Sequence, residues 1–439
     1  MTPAQSLLLG FTVLTLFGAY LLTLRIASAE GVRQPFVDAV FTATSAVTTT
    51  GLIVVDTGSY YSTFGQWVIL ALFQIGGLGY MAFVAGIAFV VGSRVSPGAG
   101  LTIEESLAGA RYGELKGFLK TVFLFTLLFE GIGTIGLSLV YARDFPVTKA
   151  LALGFFHAVS AFCTAGFSLF ADSFVRYRDS LTANIVVAIV TVAGGIGFFV
   201  LRDLLQFSYQ ALAGVRHPRL SVHTRLTLLV SGVLLLGGTV LVLIAERHLP
   251  GVTWSQRILT ASFQAFSAST TTGFNSVDIG AMTATSLFAI VVLMFVGTGP
   301  GGTGGGIKTT TLGVVLAAAL ALLKGGQDPI AFKRRLPQDT VYRALAIGMV
   351  ATAWITVVTL IMTSTEHADF LKILFEVVSA LGTVGLSMGI TPELSTTGKI
   401  LLSLTMLAGR LGLLAVGFAL VGRPRPVYFR YLEERVYIG

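Results

Sequence analysis

The chain has 439 residues, of which 54% are hydrophobic and 11% charged, where a soluble protein carries about 25% charged residues. Apolar runs of about 20 residues recur along its length, and the longest polar interruptions, 92–117 and 324–342, are too short to hold a soluble catalytic or nucleotide-binding module. The +8 net charge sits in loops between apolar runs, which favours membrane topology over nucleic-acid binding, and the single Cys163 excludes an internal disulfide.

Taken in order, the chain reads as four copies of one unit: membrane helix, short apolar segment, Thr-x-Gly turn, second membrane helix. The first copy predicts a helix near 6–24, a half-length helix near 35–48, the turn Thr49-Thr50-Gly51 and a helix near 66–92. Leu7 to Leu24 followed by Ala27-Ser28-Ala29 has the outline of a signal peptide, but no basic start precedes it and cleavage would remove the first helix. The second copy runs 118–141, 149–163, Thr164-Ala165-Gly166 and 183–207. The third runs 225–245, 256–270, Thr271-Thr272-Gly273 and an interrupted span from 285 to 323. The fourth runs 342–363, 369–382, Thr383-Val384-Gly385 and 398–421.

The middle segments, about 14 residues each, would reach about 21 Å as helix, short of the roughly 30 Å of hydrocarbon, and suit re-entrant half-helices. Each copy then makes two crossings, so all four run parallel and their turns enter from one face. The expected fold is an all-α membrane protein of four tandem repeats, with eight transmembrane helices and four half-helices around a pseudo-fourfold pore. The repeats divide at 1–94, 95–210, 211–325 and 326–421, followed by a tail at 422–439. Loops after the second helices, with the tail, hold 17 Lys and Arg against 10 on the opposite side, which puts both termini in the cytoplasm and the turns outward.

The turns carry the chemistry. Phe41, Phe156, Phe263 and Phe375 each stand four residues before a Ser-Ala pair, at Ser45, Ser160, Ser267 and Ser379. Each Ser stands six residues before a Gly, and each Gly has a Thr two residues earlier and an apolar residue, Leu52, Phe167, Phe274 or Leu386, after it. Gly51, Gly166, Gly273 and Gly385 follow one another at steps of 115, 107 and 112 residues. Thr383-Val384-Gly385 is the tripeptide whose carbonyls replace the water shell of K⁺ in potassium channels. Non-helical backbone at membrane depth survives only when buried or lining a watery path, so four such turns imply a pore. Gly permits the positive φ that aims carbonyls inward, and the half-helices point their negative dipole ends at the cavity. The competing reading, small residues for helix packing, would suit one copy better than four in register. With Leu or Phe after the Gly, fewer carbonyl rings are available than in a full potassium-channel filter, and weaker exclusion of Na⁺ is expected.

The second helices share Gly76-Gly77-Leu78-Gly79, Gly194-Gly195-Ile196-Gly197, Gly305-Gly306-Ile307-Lys308 and Gly409-Arg410-Leu411-Gly412, small residues that let helices approach closely. The third copy adds Gly297-Thr298-Gly299-Pro300-Gly301-Gly302-Thr303-Gly304 within its apolar span, which no helix can continue through. The segment from Thr298 to Lys308, with Gly305 and Gly306, is read as a gate; a passive hinge is the alternative, and a phosphate-binding loop lacks its strand and its Gly-Lys pair. Arg410 places a charge inside a membrane helix, either as a barrier near the ion path or as a structural partner of Glu130. Glu376 and Asp38 lie near the outer mouth as cation attractors or caps, and His157 packs. An intramembrane enzyme would need a Ser/His, paired-Asp or metal-ligand cluster at depth, and none is visible; a bare scaffold would tolerate bulk at the turn glycines.

The four Ser-Ala-x2-Thr-x-Gly segments, the run Gly301 to Thr311, Arg410 and the ending Glu433-Glu434-Arg435-Val436-Tyr437-Ile438-Gly439 resemble the Trk/Ktr/HKT superfamily of potassium transporters over essentially the whole chain. The resemblance is nearest the KtrB type, the membrane subunit of bacterial Ktr K⁺ uptake systems; the absence of further N-terminal membrane helices favours it over the longer TrkH type. It implies a homodimer in the bacterial inner membrane with one pore per protomer, seated on a cytosolic RCK-type ring (KtrA-like). There ATP favours uptake and ADP closes the loop of residues 298–306. Many members are also stimulated by Na⁺. In HKT relatives a Ser at the first-turn Gly accompanies Na⁺ permeation, and Gly51 here favours K⁺. Cys163-Thr164-Ala165-Gly166 departs from the pattern in that Cys163 replaces Thr at the first position, which puts in doubt only the lower filter site of that turn. The expected function is K⁺ uptake; the alternative is a Na⁺-permeable or proton-coupled cation transporter.

Overall fold

The computed structural model describes residues 3–91, 115–215, 218–246, 253–326 and 328–413, and these are mostly helical. The basic loop around Arg94 and Arg111 and the tail 422–439 lie outside the described residues. In chain order come α1 (Pro3–Leu22), α2 (Phe36–Val47), α3 (Thr57–Tyr60), α4 (Thr63–Val91), α5 (Leu115–Tyr141), α6 (Val147–Phe162), α7 (Leu181–Gly195) and α8 (Phe198–Leu212). Then follow α9 (Val222–Ala245), α10 (Trp254–Ser269), α11 (Ala284–Phe295), α12 (Thr309–Leu323), α13 (Gln338–Thr365), α14 (Phe370–Gly382) and α15 (Thr396–Leu411).

Among the described residues, stretches of α1, α5, α9 and α13 are long and apolar enough to cross a bilayer unaided. Their outer faces stay apolar: Phe17, Leu139, Leu236 and Leu360 are exposed, as expected of helices solvated by lipid. The short helices between them begin on recognisable signals. Pro35 and Pro146 precede α2 and α6. Thr253 caps α10 by a reciprocal box, its amide donating to Gln256 Oε1 at 2.9 Å. At 12, 16, 16 and 13 residues, α2, α6, α10 and α14 reach about 18–24 Å, below the hydrocarbon thickness.

The expectation of unbroken second helices is corrected. The stretch 183–207 is two helices, α7 and α8, bent by 101° with Gly197 at φ 102° between them. Helix α4 is interrupted at Gly79 (φ 67°, ψ −172°), and α15 ends on Gly412 at φ 86°. The last Gly of each Gly-Gly-x-Gly or Gly-Arg-x-Gly run therefore breaks the helix, a conformation disfavoured for any residue with a Cβ. The first Gly serves the close approach expected of it: a Cβ on Gly76, Gly194 or Gly409 would strike the carbonyl of Val47, Phe162 or Leu381, at the C-terminal ends of α2, α6 and α14.

Within 324–342 the chain adds a small hairpin, β1 (Ile330–Ala331) paired antiparallel with β2 (Arg334–Arg335), turning through Phe332 and Lys333 at positive φ. Ala331 and Leu336 pack beneath Leu226 and Val314, a local apolar contact that the polar composition of this loop conceals.

Candidate cation site

Each of the four turns is held from behind by its own half-helix. The amide of Thr49 donates to Ala46 O at 3.0 Å and that of Thr50 to Ser45 O at 2.7 Å; the corresponding bonds in the other three turns span 2.8–3.3 Å. Ser45 and Ser379 accept from the amides of Gly51 and Gly385 at 3.0 and 3.1 Å. Ser160 and Ser267 instead donate to the carbonyls of Phe167 and Phe274 at 2.8 and 2.6 Å. The recurring Phe and Ala are buried in all four copies. The repeated Phe-x3-Ser-Ala frame is thus an anchor, a close contact and a set of acceptors for the first two amides of every turn, with Ser45 and Ser379 also taking the Gly amide.

Thr49, Thr164, Thr271 and Thr383 all adopt φ of 49–52°, and Gly51, Gly166, Gly273 and Gly385 adopt φ of 68–93°, while the residue between them does not turn positive. A left-handed β-branched residue is rare and costs about 1–2 kcal/mol, so four at one position mark a conformation imposed by its surroundings. Alternating hand turns successive peptide groups toward one side. With the Thr and middle-residue amides of every turn committed backward, no donor among the described residues reaches the carbonyls of Thr49 to Gly51, Thr164 to Gly166, Thr271 to Gly273 or Thr383 to Gly385. A Cβ on Gly51 would lie 2.5 Å from Ala165 O, and one on Gly166 2.7 Å from Thr272 O. One on Gly273 would strike Val384 O, and one on Gly385 would strike Thr50 O. Each turn abuts the next, and the fourth closes on the first.

Packed against these turns is the glycine-rich segment between α11 and α12. Its ends are clasped by the amide of Gly297 on Ile307 O at 2.8 Å, with Gly301 and Gly306 at positive φ. Thr303 Oγ1 donates to Phe162 O at 2.8 Å, and the amide of Gly305 donates to Thr271 Oγ1 at 3.3 Å. A Cβ on Gly305 would strike Thr383 Oγ1, and one on Gly304 would lie 2.6 Å from Thr271 Oγ1. Gly299 and Gly302 lie equally close to the carbonyls of Ile196 and Gly195, in the α7–α8 break. Thr298 holds the start of α12, its carbonyl accepting from the amide of Thr309 at 3.2 Å. Lys308 Nζ folds back onto Gly304 O at 2.7 Å. Arg410 donates to Thr303 O, to Gly76 O at 2.6 Å and to Gly77 O at 3.3 Å. A cavity of about 230 Å³, lined among others by Gly79, Gly301, Gly304, Lys308 and Arg410, borders this segment.

The model of the TrkH family, described as a cation transport protein, matches residues 11–431. The chain is 37% identical to the Ktr system potassium uptake protein B of Bacillus subtilis, over 100% of this chain and 97% of that protein. It is 35% identical to the potassium/sodium uptake protein NtpJ of Enterococcus hirae, over 100% and 98%. The chain belongs to the TrkH family of cation transport proteins. It is a membrane transport protein and not an enzyme. Its fold matches the crystal structure of the potassium transporter TrkH from Vibrio parahaemolyticus with a TM-score of 0.72 at 21% identity, over 94% of this chain and 83% of that one.

Three expectations about charged residues resolve within this TrkH-family fold. Arg410 does not pair with Glu130: its recorded partners are the three carbonyls, and Glu130 accepts from Gln74 Nε2 at 2.8 Å. Gln74 in turn accepts from Cys163 Sγ at 3.0 Å, so the departing cysteine of the second turn is tied to a neighbouring helix. Asp38 does not stand free at the mouth; Lys399 binds it at 2.7 Å, clasping α2 to α15. His157 packs as expected, its ring nitrogens against Leu153 O at 2.8 Å and Ser168 Oγ at 2.9 Å.

The sequence reading singles out His157 and Glu376 but misses that, with Thr42 and Gln264, they occupy one repeated position. The residue following each recurring Phe is polar, and it grips the limb that leaves the turn or the segment beyond it. Thr42 is reached by Tyr61 Oη at 3.3 Å, and His157 by Ser168. Gln264 Nε2 donates to Ser276 Oγ at 3.1 Å, and Glu376 accepts from Ser387 Oγ and from Thr391 Oγ1 at 3.0 Å. The available signal was a polar position within an otherwise apolar frame, four times over; its chemistry differs each time, so no shared residue type announces it.

Proposed function

We propose that this chain is the membrane subunit of a Ktr-type potassium uptake system, passing K⁺ through a filter made by Thr49-Thr50-Gly51, Thr164-Ala165-Gly166, Thr271-Thr272-Gly273 and Thr383-Val384-Gly385. One observation carries the reading: four abutting turns, strained at matching positions, leave their carbonyls without donors from the described residues, as a site for a dehydrated monovalent cation requires. Carbonyl oxygens on four sides bind such an ion without a fixed charge, so it can also leave. The four M1–P–M2 repeats, divided as the sequence suggests, would supply one turn each, with the dipole ends of α2, α6, α10 and α14 aimed at the ion.

The glycine-rich segment from Thr298 to Lys308 is the gate in this reading, because it sits against the turns and is made of residues that can change conformation at low cost. Arg410 is its latch and an electrostatic barrier. Control from outside the membrane would come from a cytosolic RCK-type ring that binds ATP and ADP, with the subunit working as a homodimer in the bacterial cell membrane, both termini inside, and with Na⁺ as an activator. The word "system" in the names of relatives such as the Bacillus subtilis protein supports a partner chain.

A second reading, passage of Na⁺ as well as K⁺, is favoured by the name of NtpJ, a potassium/sodium uptake protein. Growth of potassium-uptake-deficient cells on low K⁺, with and without a cytosolic ring partner, tests the first reading; no rescue by membrane-inserted chain with its partner would overturn it. Comparing K⁺ and Na⁺ flux into proteoliposomes under matched gradients separates the two.

A further inference from the structure

Glu376 is fully buried (0% exposed) in the middle of α14, eight residues before the turn residue Val384, and no ion pair among the described residues involves it. A carboxyl group in such a place is costly unless its oxygens are satisfied. Both are. Ser387 Oγ donates to Oε1, Thr391 Oγ1 donates to Oε2 at 3.0 Å, and the two hydroxyls lie 3.0 Å apart. The amide of Gly389 adds a bond to Ser387 Oγ at 2.9 Å. These three side chains form a closed knot spanning α14 and the limb that leaves Gly385.

The other three turns have weaker equivalents. The matching grip is one contact of 3.1 Å at Gln264 and one of 3.3 Å at Thr42, while His157 receives Ser168 Oγ at 2.9 Å and the amide of Leu169 at 3.3 Å. Glu376 is the one acid of the set, and hydrogen bonds to a carboxylate are stronger than those between neutral groups. In the second and third turns the Ser of the Ser-Ala pair also bonds the residue after the Gly, Phe167 or Phe274, whereas Ser379 bonds the amide of Gly385 and the limb beyond it is gripped by Glu376.

We propose that Glu376 is a specificity-positioning residue: by clamping Ser387 and Thr391 it fixes the outer end of the fourth turn, and so sets the width of the carbonyl ring that distinguishes K⁺ from Na⁺. The proposal rests on the reading of the turns as a filter. A turn free to draw inward would fit the smaller ion, whereas a clamped one holds the larger spacing. Loss of the clamp lowers discrimination more than it lowers total flux.

The test is the ratio of K⁺ to Na⁺ flux in proteoliposomes of the full-length chain, for the parent, Glu376→Ala, Glu376→Gln, Ser387→Ala and Thr391→Val. The ratio should fall about fivefold in Glu376→Ala, which at 1.4 kcal/mol per tenfold is about 1 kcal/mol. It should fall less in Ser387→Ala and Thr391→Val, and be partly retained in Glu376→Gln, which keeps one acceptor oxygen. If burial makes Glu376→Ala fold poorly, the two hydroxyl variants decide, since each removes one bond to the carboxylate and leaves no buried charge without its other partner. A discriminating parent whose ratio is unmoved in Ser387→Ala and Thr391→Val overturns the clamp while leaving the filter standing. A parent that passes both ions equally overturns the clamp and the K⁺-selective reading together, in favour of passage of Na⁺ as well as K⁺.

Discussion

At the scale of single residues, the site is built from backbone, and side chains act by holding it. Gly51 shows this most directly. Its φ of 90° disfavours any Cβ, and a Cβ there would lie 2.5 Å from Ala165 O. Gly51→Ser is therefore expected to push the first and second turns apart and lower the K⁺/Na⁺ flux ratio several-fold, measured in proteoliposomes against the parent; an equal ratio would count against the filter. Arg410 carries the opposite expectation. A cation about 10 Å from the ion path raises the local barrier by about 1.7 kcal/mol at an effective dielectric of about 20. Arg410→Ala removes that charge and the donor to Thr303 O, so K⁺ flux should rise by up to about tenfold. Unchanged flux in a folded variant would leave Arg410 a helix clasp only.

At the scale of elements, the glycine-rich segment and the α7–α8 break hold each other in place. The amide of Phe198 donates to Gly301 O at 3.1 Å, and Gly194 O accepts from the amide of Thr303 at 3.0 Å. Phe198 and Gly194 are four residues apart, the spacing that would bond them to each other in a continuous helix. The segment thus occupies the two groups whose mutual bond would straighten the helix. Deleting residues 299–304 should raise K⁺ flux in the absence of partners and let α7 and α8 align. Spin labels at Leu181 and Tyr209, both exposed, should then separate from roughly 25 Å toward roughly 40 Å, as about 1.5 Å per residue implies. An unchanged distance would show that the bend is set by Gly197 alone.

At the scale of the whole molecule, two apolar cores, one around Phe73, Phe156 and Phe162 and the other around Phe41, Met294 and Phe375, meet at the ring of turns. The outward faces of the long helices are apolar because lipid is their solvent. Leu236, 70% exposed in α9, tests that orientation. Leu236→Arg should cost about 2.5–3.5 kcal/mol near the membrane centre, seen as a lower yield of folded protein in detergent; a yield equal to the parent would argue that this face meets water.

Much of this architecture was legible in the chain. Folding a half-helix into a tight left-handed turn makes the same local demand four times, for an anchoring Phe, a Ser-Ala pair, a Thr and a Gly, and repeated demands leave a countable pattern. Hydropathy likewise marked the long spans and the glycine-rich interruption, since both follow from composition over short windows. What only the tertiary structure decided were the relations between distant residues. Gly79 and Gly197 interrupt helices where local pattern allows them to continue; at Gly197 the released groups find partners about 100 residues away in the sequence. Arg410 finds carbonyls instead of Glu130, Asp38 finds Lys399, and Glu376 finds Ser387 and Thr391. Local chemistry writes itself into a sequence, but the choice among possible partners is made where the chain folds back on itself, because only there do donors and acceptors compete for the same space.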